Sequence, residues 1–469
     1  MQQDDCEVAS MSLAADSPSL SSSSSDDFAA LLDAELELAS SKSCPDDDGQ
    51  AVSVEESEFQ DRRTKKQKIE DFDTEELQGR VMAESNRENI GTSTEILNDI
   101  CPPHPGFFKG LCMRCGQLEE DDGSAVAFGY IHKDLKLGTR EIDRLRGADL
   151  KNLLHGKRLI LILDLDHTLL NSTCLADVSA EEEYLLRQVD CMKDDPGRSL
   201  FRLDTIRMLT KLRPFVPTFL REASKYFEMY VYTMGERFYA LEMVKLLDPG
   251  NVYFNSKVIS QSDSTQRHKK GLDVVLGAES VVVILDDTEF VWHRHKENLI
   301  LMDRYHFFAS SCRQFGFNTI SLSVARKDER ESDGALATIL NVLKRIHQMF
   351  FDPDLETDLS SRDVRQVIKK IRQEILEGCK IVFSWECSSK SRAEDQPMWK
   401  IAEQLGATCC TEVDSSVTHV VVIDSGTQNA RWALQNEKFL VNPRWIEASN
   451  YLWRRQKEDD FLVSNTINQ

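Results

Sequence analysis

Residues Leu159-Ile160-Leu161-Ile162-Leu163 form an apolar run that ends in Asp164-Leu165-Asp166-His167-Thr168-Leu169-Leu170-Asn171. The run is too short to span a membrane, and with no polar alternation it reads as a strand buried on both faces of a parallel sheet. In open sheets of that kind the ligand crevice lies beyond the carboxyl ends of the strands. Two carboxylates and a threonine delivered there are costly to bury unless something pairs them, and a divalent cation is the usual partner. The plainer reading is a strand ending in a polar turn. Residues further along the chain decide between the two.

A chain of 469 residues has room for two or three domains with sizeable cores. Its net charge of −22 is unevenly spread, because residues 1–60 hold fifteen Asp and Glu against one Lys, which places −14 of the total there. The remainder is only mildly acidic, so direct nucleic-acid binding by bulk charge is not expected. No apolar run has the length of a membrane span, and the amino terminus carries acids where a secretory signal would be basic and then apolar. A soluble intracellular protein is expected, with no membrane partner. Twelve cysteines in this length lack the density of a disulfide framework, so reduced, buried or metal-bound thiols are expected.

Residues 1–97 read as a disordered acidic tail, rich in Ser, Asp and Glu around the run Ser21–Ser25. Phe28, Leu31, Leu32 and Leu36 fall near helical spacing there, either as a helix formed on a partner or as incidental leucines in a solvated tail. Arg62-Arg63-Thr64-Lys65-Lys66-Gln67-Lys68 is a dense basic cluster of the kind a nuclear import receptor grips.

Residues 98–130 hold Cys101-Pro102-Pro103-His104 and Cys112-Met113-Arg114-Cys115-Gly116. A Cys-x2-His and a Cys-x2-Cys pair on glycine turns suit a tetrahedral structural Zn²⁺. The alternative is three buried thiols and a surface histidine.

From 150 to 325 the pattern is α/β. Strands are predicted at Arg158–Asp164, Met229–Thr233, Val281–Asp286 and Leu299–Met302, with helices such as Pro217–Tyr226 and Phe238–Leu247 between them. That alternation implies a doubly wound parallel sheet. The polar, acidic stretch Cys174–Leu212 reads as an excursion over the strand ends. Residues 326–377 read as a helical connector, with one apolar face on Leu336, Ile339, Leu340, Leu343 and Ile346 and another on Val364, Val367, Ile368, Ile371 and Ile375, stopped by Gly378. From 378 to 465 a small α/β unit follows, with strands at Lys380–Phe383 and Thr418–Ile423, helices at Trp399–Leu405 and Ala430–Asn436, and Trp445 in a last helix.

Four residues in three stretches follow the opening strand in order. Thr233 closes Val-Tyr-Thr-Met-Gly, Lys270 lies in His-Lys-Lys-Gly-Leu, and Asp286-Asp287 close Val-Val-Val-Ile-Leu-Asp-Asp. Together they suit phosphoryl transfer, with a carboxylate nucleophile, a second carboxylate as acid and base, and a hydroxyl and an ammonium for the phosphate oxygens. A Mg²⁺ ion would offset the repulsion between a carboxylate and a phosphate dianion. Lys269 competes with Lys270 for the lysine's role.

This order resembles the haloacid-dehalogenase superfamily of aspartate-based phosphotransferases. The resemblance implies a haloacid-dehalogenase-like doubly wound sheet with Asp164 as nucleophile, Asp166 as general acid and base, Thr233 on the phosphate and Lys270 stabilising charge. It also implies that Mg²⁺, or Mn²⁺ or Co²⁺ in its place, is held by Asp164, Asp287 and the backbone carbonyl of Asp166, with Asp286 beside them. Thr168 would support the loop. More narrowly, Asp-Leu-Asp-His-Thr-Leu-Leu, Lys-Leu-Arg-Pro-Phe at Lys211–Phe215, Tyr-Thr-Met-Gly and Asp-Asp-x-x-x-Val-Trp at Asp286–Trp292 look like the RNA polymerase II carboxy-terminal-domain phosphatases of the TFIIF-associating type. In that family Arg213 would be an active-site arginine near the bound phosphate, and the Cys/His segment looks like one that precedes the catalytic domain.

The last unit is similar to a BRCT domain at Gly378–Ser384, Gly406-Ala407, Thr418–Val421 and Pro443–Ile446. Phosphopeptide-binding BRCT repeats use a Ser or Thr after the first strand and a Lys in a Thr-x-Lys pattern. Ser384 fits the first, but Thr427-Gln428-Asn429 has no lysine, so a strong charge-assisted contact is missing. The expectation is a nuclear, Mg²⁺-dependent protein serine phosphatase acting on the phosphorylated polymerase tail, with a transcription factor such as TFIIF as a further partner. Against it stand a small-molecule phosphatase of the same superfamily, which leaves the BRCT unit unexplained, and an inert nuclear scaffold, which leaves the intact acids and lysine unexplained.

Overall fold

A computed structural model describes residue 101 and residues 103–463, apart from 121, 122, 124, 317–319, 356, 357 and 385–391. The acidic tail, its leucine-bearing stretch and the basic cluster Arg62–Lys68 lie outside the described residues.

Lys109 and Gly110, both at positive φ, turn strand β1 (Gly106–Phe108) back onto β2 (Leu111–Cys112). With β3 (Ala125–Ala127) and β4 (Leu135–Gly138) they form an antiparallel sheet in the order β2-β1-β4-β3. β4 runs straight into helix α1 (Thr139–His155), whose Ile142 and Leu153 enter the main core.

β5 (Leu159–Leu163) has five aliphatic residues with no exposed surface. It is the middle strand of a five-stranded parallel sheet, so neither of its faces meets water and no polar alternation is needed. A three-stranded antiparallel sheet follows, from β6 (Leu170–Cys174), β7 (Leu200–Leu203) and β8 (Met208–Leu212), in the order β6-β8-β7, with α2 (Glu183–Cys191) leading into β7. The expected excursion over Cys174–Leu212 is therefore an ordered subdomain, with Leu185, Leu200 and Leu209 packed on Tyr305, Phe307 and Phe308. Its strands hid because β8 buries polar residues: the Thr210 and Ser172 hydroxyls pair at 2.9 Å, and Lys211 reaches Ser199 and Asp328. Such burial breaks the hydrophobic pattern that marks a strand.

The chain then returns through α3 (Val216–Ala223), β9 (Phe227–Tyr232), α4 (Arg237–Leu247) and β10 (Val258–Ile259), and crosses to β11 (Val282–Asp286) and β12 (Leu299–Leu301). The strand order β10-β9-β5-β11-β12 reverses at β5. Chain crossovers diverge there, which opens a crevice at the carboxyl ends of β5 and β11.

After α5 (Ala309–Gln314) come α6 (Ala335–Phe350) and α7 (Val364–Gln373), whose apolar faces enter the same core. α7 ends at Gln373, short of Ile375, and Gly378 turns the chain at φ +78. The last module has β13 (Lys380–Ser384), α8 (Pro397–Gln404), β14 (Thr408–Cys410), β15 (His419–Val422), α9 (Gln428–Gln435), β16 (Phe439–Val441) and α10 (Arg444–Leu452). Its sheet is parallel in the order β14-β13-β15-β16, and Trp445 is fully buried. The edge strands β14 and β16 are three residues each, too short to show a period. Beyond α10 the Trp453 indole N–H donates to the Leu301 carbonyl at 3.2 Å, which ties this module to the edge of the larger sheet. Among the described residues no helix is long and apolar enough to cross a membrane.

Candidate active site

Where β5 ends, the Asp164 N–H still donates to the Leu285 carbonyl at 3.0 Å, so the ladder with β11 fixes Asp164 beside Asp286. The chain then folds into a tight loop. His167 takes φ +63, and the N–H groups of Leu169 and Leu170 both donate to the Leu165 carbonyl, at 2.9 and 3.1 Å. Thr168 is fully buried under this loop, with its hydroxyl 3.4 Å from Asp287 Oδ1.

Lys270 is the hub. Its Nζ donates to Asp164 Oδ1 and to Asp286 Oδ2, each at 2.6 Å, and the side chain is 3 % exposed. Burial alone would pull this amine down, but the two carboxylates hold it well above its ordinary range, so it is an ammonium. Lys269 instead lays its Nζ 3.3 Å from the centre of the Phe290 ring, which settles which lysine meets the acids. Asp286 also accepts from the Trp292 indole at 2.8 Å and from the Thr288 N–H at 2.8 Å. Asp287 pairs with Arg304 Nε at 2.7 Å.

One oxygen from each of Asp164, Asp286 and Asp287 lies within 4.8 Å of the others. Burial pushes the Asp164 carboxyl well up; Lys270 opposes this, and the charges of Asp286 and Asp287 add to it. Crowded, buried carboxylates of this kind are short of positive charge, and an all-oxygen set suits a hard divalent cation.

Asp166, across the loop, accepts from the Tyr239 hydroxyl at 2.5 Å, and that hydroxyl also lies 3.1 Å from Ser172 Oγ. Burial, then the Asp166 charge, pushes the Tyr239 phenol well above its ordinary value, so it stays a donor. Thr233 is buried at the end of β9 and accepts from the Gly235 N–H at 3.0 Å. A Cβ on Gly235 would come within 2.8 Å of the Tyr239 ring and 3.3 Å of Thr233 Oγ1, so only glycine lets these two side chains share the turn.

The structure gathers Asp164, Asp166, Thr233, Lys270, Asp286 and Asp287 around this crevice. Arg213 differs from the expectation of a phosphate contact. Its side chain is fully buried, with Nε and Nη2 donating to Glu329 at 3.0 and 2.7 Å and Nη1 reaching the carbonyls of His167, Thr168 and Asp303. A guanidinium so engaged braces the loop from below. Tyr239 and Arg304 escaped sequence reading. Tyr239 lies on a helix face that reads as core, and Arg304 is a single cation just past a strand end.

Elsewhere, one donor atom each from Cys101, His104, Cys112 and Cys115 lies within 4.8 Å of the others. The Arg114 N–H points at Cys112 Sγ at 3.4 Å, and Gly116 closes the turn at φ +74. In the last module Ser384 Oγ donates to Thr427 Oγ1 at 3.1 Å, and Thr427 caps α9 through the Ala430 N–H.

A reversal point in a doubly wound sheet, two acids separated by one residue just past the end of its middle strand, and a buried lysine shared with a third acid define a haloacid-dehalogenase-type phosphatase. Residues 159–314 match the family model of NLI interacting factor-like phosphatases, and residues 372–450 that of the BRCA1 C Terminus (BRCT) domain. The chain is 51% identical over 454 residues, 96% of its length and 97% of the relative's, to the RNA polymerase II C-terminal domain phosphatase-like 4 of Arabidopsis thaliana. It is 28% identical over 380 residues, 80% of its length and 56% of the relative's, to an RNA polymerase II C-terminal domain phosphatase of Caenorhabditis elegans. A single-residue variant of the fission yeast RNA polymerase II CTD phosphatase Fcp1, bound to beryllium fluoride, superposes with a TM-score of 0.53 at 25% identity, covering 68% of this chain and 100% of that one. The chain belongs to the RNA polymerase II C-terminal-domain phosphatases, protein phosphatases that join this catalytic fold to a BRCT module.

Proposed function

We propose that the chain is a nuclear, Mg²⁺-dependent phosphatase that removes phosphate from serines in the C-terminal repeats of the largest RNA polymerase II subunit, through an aspartyl-phosphate. The observation that carries the reading is Lys270 shared between Asp164 and Asp286 at 2.6 Å each, beside Asp287 and at the sheet's reversal point. The ammonium opposes the rise that burial imposes on the Asp164 carboxyl and aims that carboxyl at one spot.

In the first step an Asp164 oxygen forms a bond to phosphorus as the serine oxygen leaves, and Asp166 gives that oxygen its proton. In the second step Asp166 takes a proton from water as the water oxygen attacks phosphorus, and Asp164 is released. Lys270 and the Thr233 hydroxyl hold phosphate oxygens. Tyr239 fixes the rotation of the Asp166 carboxyl, and Arg213 braces the loop that follows Asp166. Asp164, Asp287 and the Asp166 carbonyl would hold Mg²⁺, with Asp286 beside them; when bound it offsets the repulsion between carboxylate and phosphate. The two thiol and histidine pairs Cys101, His104, Cys112 and Cys115 suit Zn²⁺ as a structural staple, because a closed set of soft donors has no open position for substrate. For the BRCT module, Asn429 offers no cation for phosphate, so docking to the polymerase tail or to a factor such as TFIIF would use other surfaces.

The test is phosphate release from repeat peptides phosphorylated at one serine each, with and without Mg²⁺, by the full chain and by Asp164→Asn. The amide is nearly isosteric and a poor nucleophile. Loss of turnover with the fold retained is expected, and wild-type turnover by that variant would sink the mechanism.

A further inference from the structure

Lys270 sits at the start of a loop, and what holds that loop comes from a different part of the chain. The backbone carbonyls of four consecutive residues, Leu272 to Val275, are taken by two side chains of the amino-terminal module. Arg146, two turns into α1, donates through Nη2 to Leu272, Asp273 and Val275 at 2.5, 3.3 and 3.0 Å, and through Nε to Val275 at 3.1 Å. The Tyr130 hydroxyl, from the turn between β3 and β4, donates to Val274 at 3.1 Å. Hydrogen bonds from a guanidinium to several carbonyls fix a backbone more firmly than one neutral bond, because the fork is planar and charge-assisted.

On its other side the loop is held within the catalytic domain. The Lys270 N–H donates to Val291 at 2.9 Å, and the Leu272 N–H lies 3.3 Å from His295 Nε2. The N–H groups of Lys270 and Leu272 thus face the catalytic domain and the carbonyls of Leu272 to Val275 face the amino-terminal module, and the loop is gripped from both sides.

That module is anchored by the donor group at its start. His104 and Cys112 lie at the mouth of the β1-β2 hairpin, β1 pairs with β4, β4 pairs with β3, and β4 continues into α1. The path from the thiols to Arg146 runs through paired strands and one helix, and Tyr130 sits on the turn that joins β3 to β4.

We propose that the amino-terminal module is a positioning device for the catalytic lysine. Zn²⁺ at Cys101, His104, Cys112 and Cys115 holds the small sheet, and Tyr130 and Arg146 transmit that order to the loop that begins at Lys270. Both residues are positioning residues, since neither reaches the reacting atoms. The proposal rests on Lys270 acting in the phosphatase reaction and on the zinc assignment, and each can fail separately in the test.

The experiment uses the full chain, Arg146→Met, Tyr130→Phe, Arg146→Lys, and the wild type before and after treatment with a zinc chelator. Zinc content, amide hydrogen exchange over residues 268–276, and kcat and KM in saturating Mg²⁺ are measured together. For Arg146→Met we expect zinc to stay at about one per chain, the stoichiometry of structural zinc sites. Exchange in the loop should rise, and kcat should fall about tenfold with KM little changed, the pattern of a lost transition-state contact. Tyr130→Phe should do the same more weakly, and Arg146→Lys should recover part of kcat. Chelation should release the zinc and reproduce the Arg146→Met pattern without touching Asp164. Faster loop exchange with unchanged kcat, or unchanged exchange in Arg146→Met, would overturn the grip. Absence of zinc from the purified full chain would overturn the staple while leaving the grip tested by the two substitutions. A wild-type chain that does not hydrolyse the phosphopeptide would count against the phosphatase reading instead.

Discussion

The five-stranded sheet of the catalytic domain and the four-stranded sheet of the BRCT module are both parallel, and each has a fully buried strand near its centre, the all-aliphatic β5 in one and the His-Val-Val-Val strand β15 in the other. They differ in what stands at the strand ends. The larger sheet ends in Asp164, Thr233 and Asp286, with Lys270 between the acids, all of them buried. The smaller ends at Ser384, whose hydroxyl bonds to the Thr427 hydroxyl, and its buried His419 is stacked between Phe439 and Trp445. A fold of this kind is stable without charged strand ends, as the smaller sheet demonstrates. Buried charges in the larger one cost free energy that their pairing only partly returns, which makes them the candidate site for the proposed chemistry.

The sharpest way to break the contrast is to remove its hub. Lys270→Met leaves Asp164 and Asp286 facing each other without a cation. A fall in kcat of about 10²–10³ is expected, the size typical of losing one group that stabilises transition-state charge. The metal-free protein should also lose about 3–5 kcal/mol, the usual cost of breaking a buried pair, and steady-state kinetics with denaturant melts in EDTA would show both. Survival of full activity would mean that Lys269 or another cation can replace it.

Acid separates the sheets next. Burial lowers His419 to about 4, and its contact with Glu458 only partly opposes this. Its folded value lies below that of the unfolded chain, so the unfolded state binds the proton first. The stability from a neutral His419 is whole above about pH 6.5 and drains away as pH falls toward 4, by up to about 3 kcal/mol at 1.36 kcal/mol per unit. His419→Gln should flatten that slope for the BRCT module, as followed by hydrogen exchange on β15 and β16 between pH 7 and 4.5.

A smaller effect is expected at Tyr239. Tyr239→Phe removes the donor to Asp166 while keeping the ring, and kcat should fall about tenfold, the worth of one hydrogen bond to a charged group. KM should change little, and an unchanged kcat would show that Tyr239 only packs. The smallest effect tests the BRCT side. Asn429→Lys supplies the cation missing from the first turn of α9, so a phosphoserine peptide should bind the full chain more tightly by roughly tenfold, the scale of a charge-assisted hydrogen bond. Turnover of a short substrate should not change.

Much of the candidate site was legible because strands print their ends. Asp164, Thr233 and Asp286 each close an apolar run, and a run with no alternation says that its end residue is buried. Lys270 was legible only by its place in the order, and its neighbour Lys269 could be set aside only once the distances were known. Residues that act from elsewhere left no such mark. Tyr239 and Arg146 lie on helices, where a polar tip among apolar neighbours looks like ordinary amphipathicity. Arg213 was visible as a motif, yet its partner Glu329 comes from far along the chain, so the direction of its guanidinium could not be read. The antiparallel sheet from β6 to β8 was missed for a related reason, since its strands carry buried Ser172, Thr210 and Lys211, whose partners lie on other strands and loops.

The central claim is that Asp164 itself carries the phosphoryl group. The most direct measurement is to quench the full chain during turnover of a phosphoserine peptide, reduce with borohydride, which converts an aspartyl-phosphate to homoserine, and locate the modified residue by mass spectrometry. The account predicts homoserine at position 164 and none at 166. Modification at Asp166, or turnover at the normal rate with no modified aspartate in a rapidly quenched sample, would contradict it.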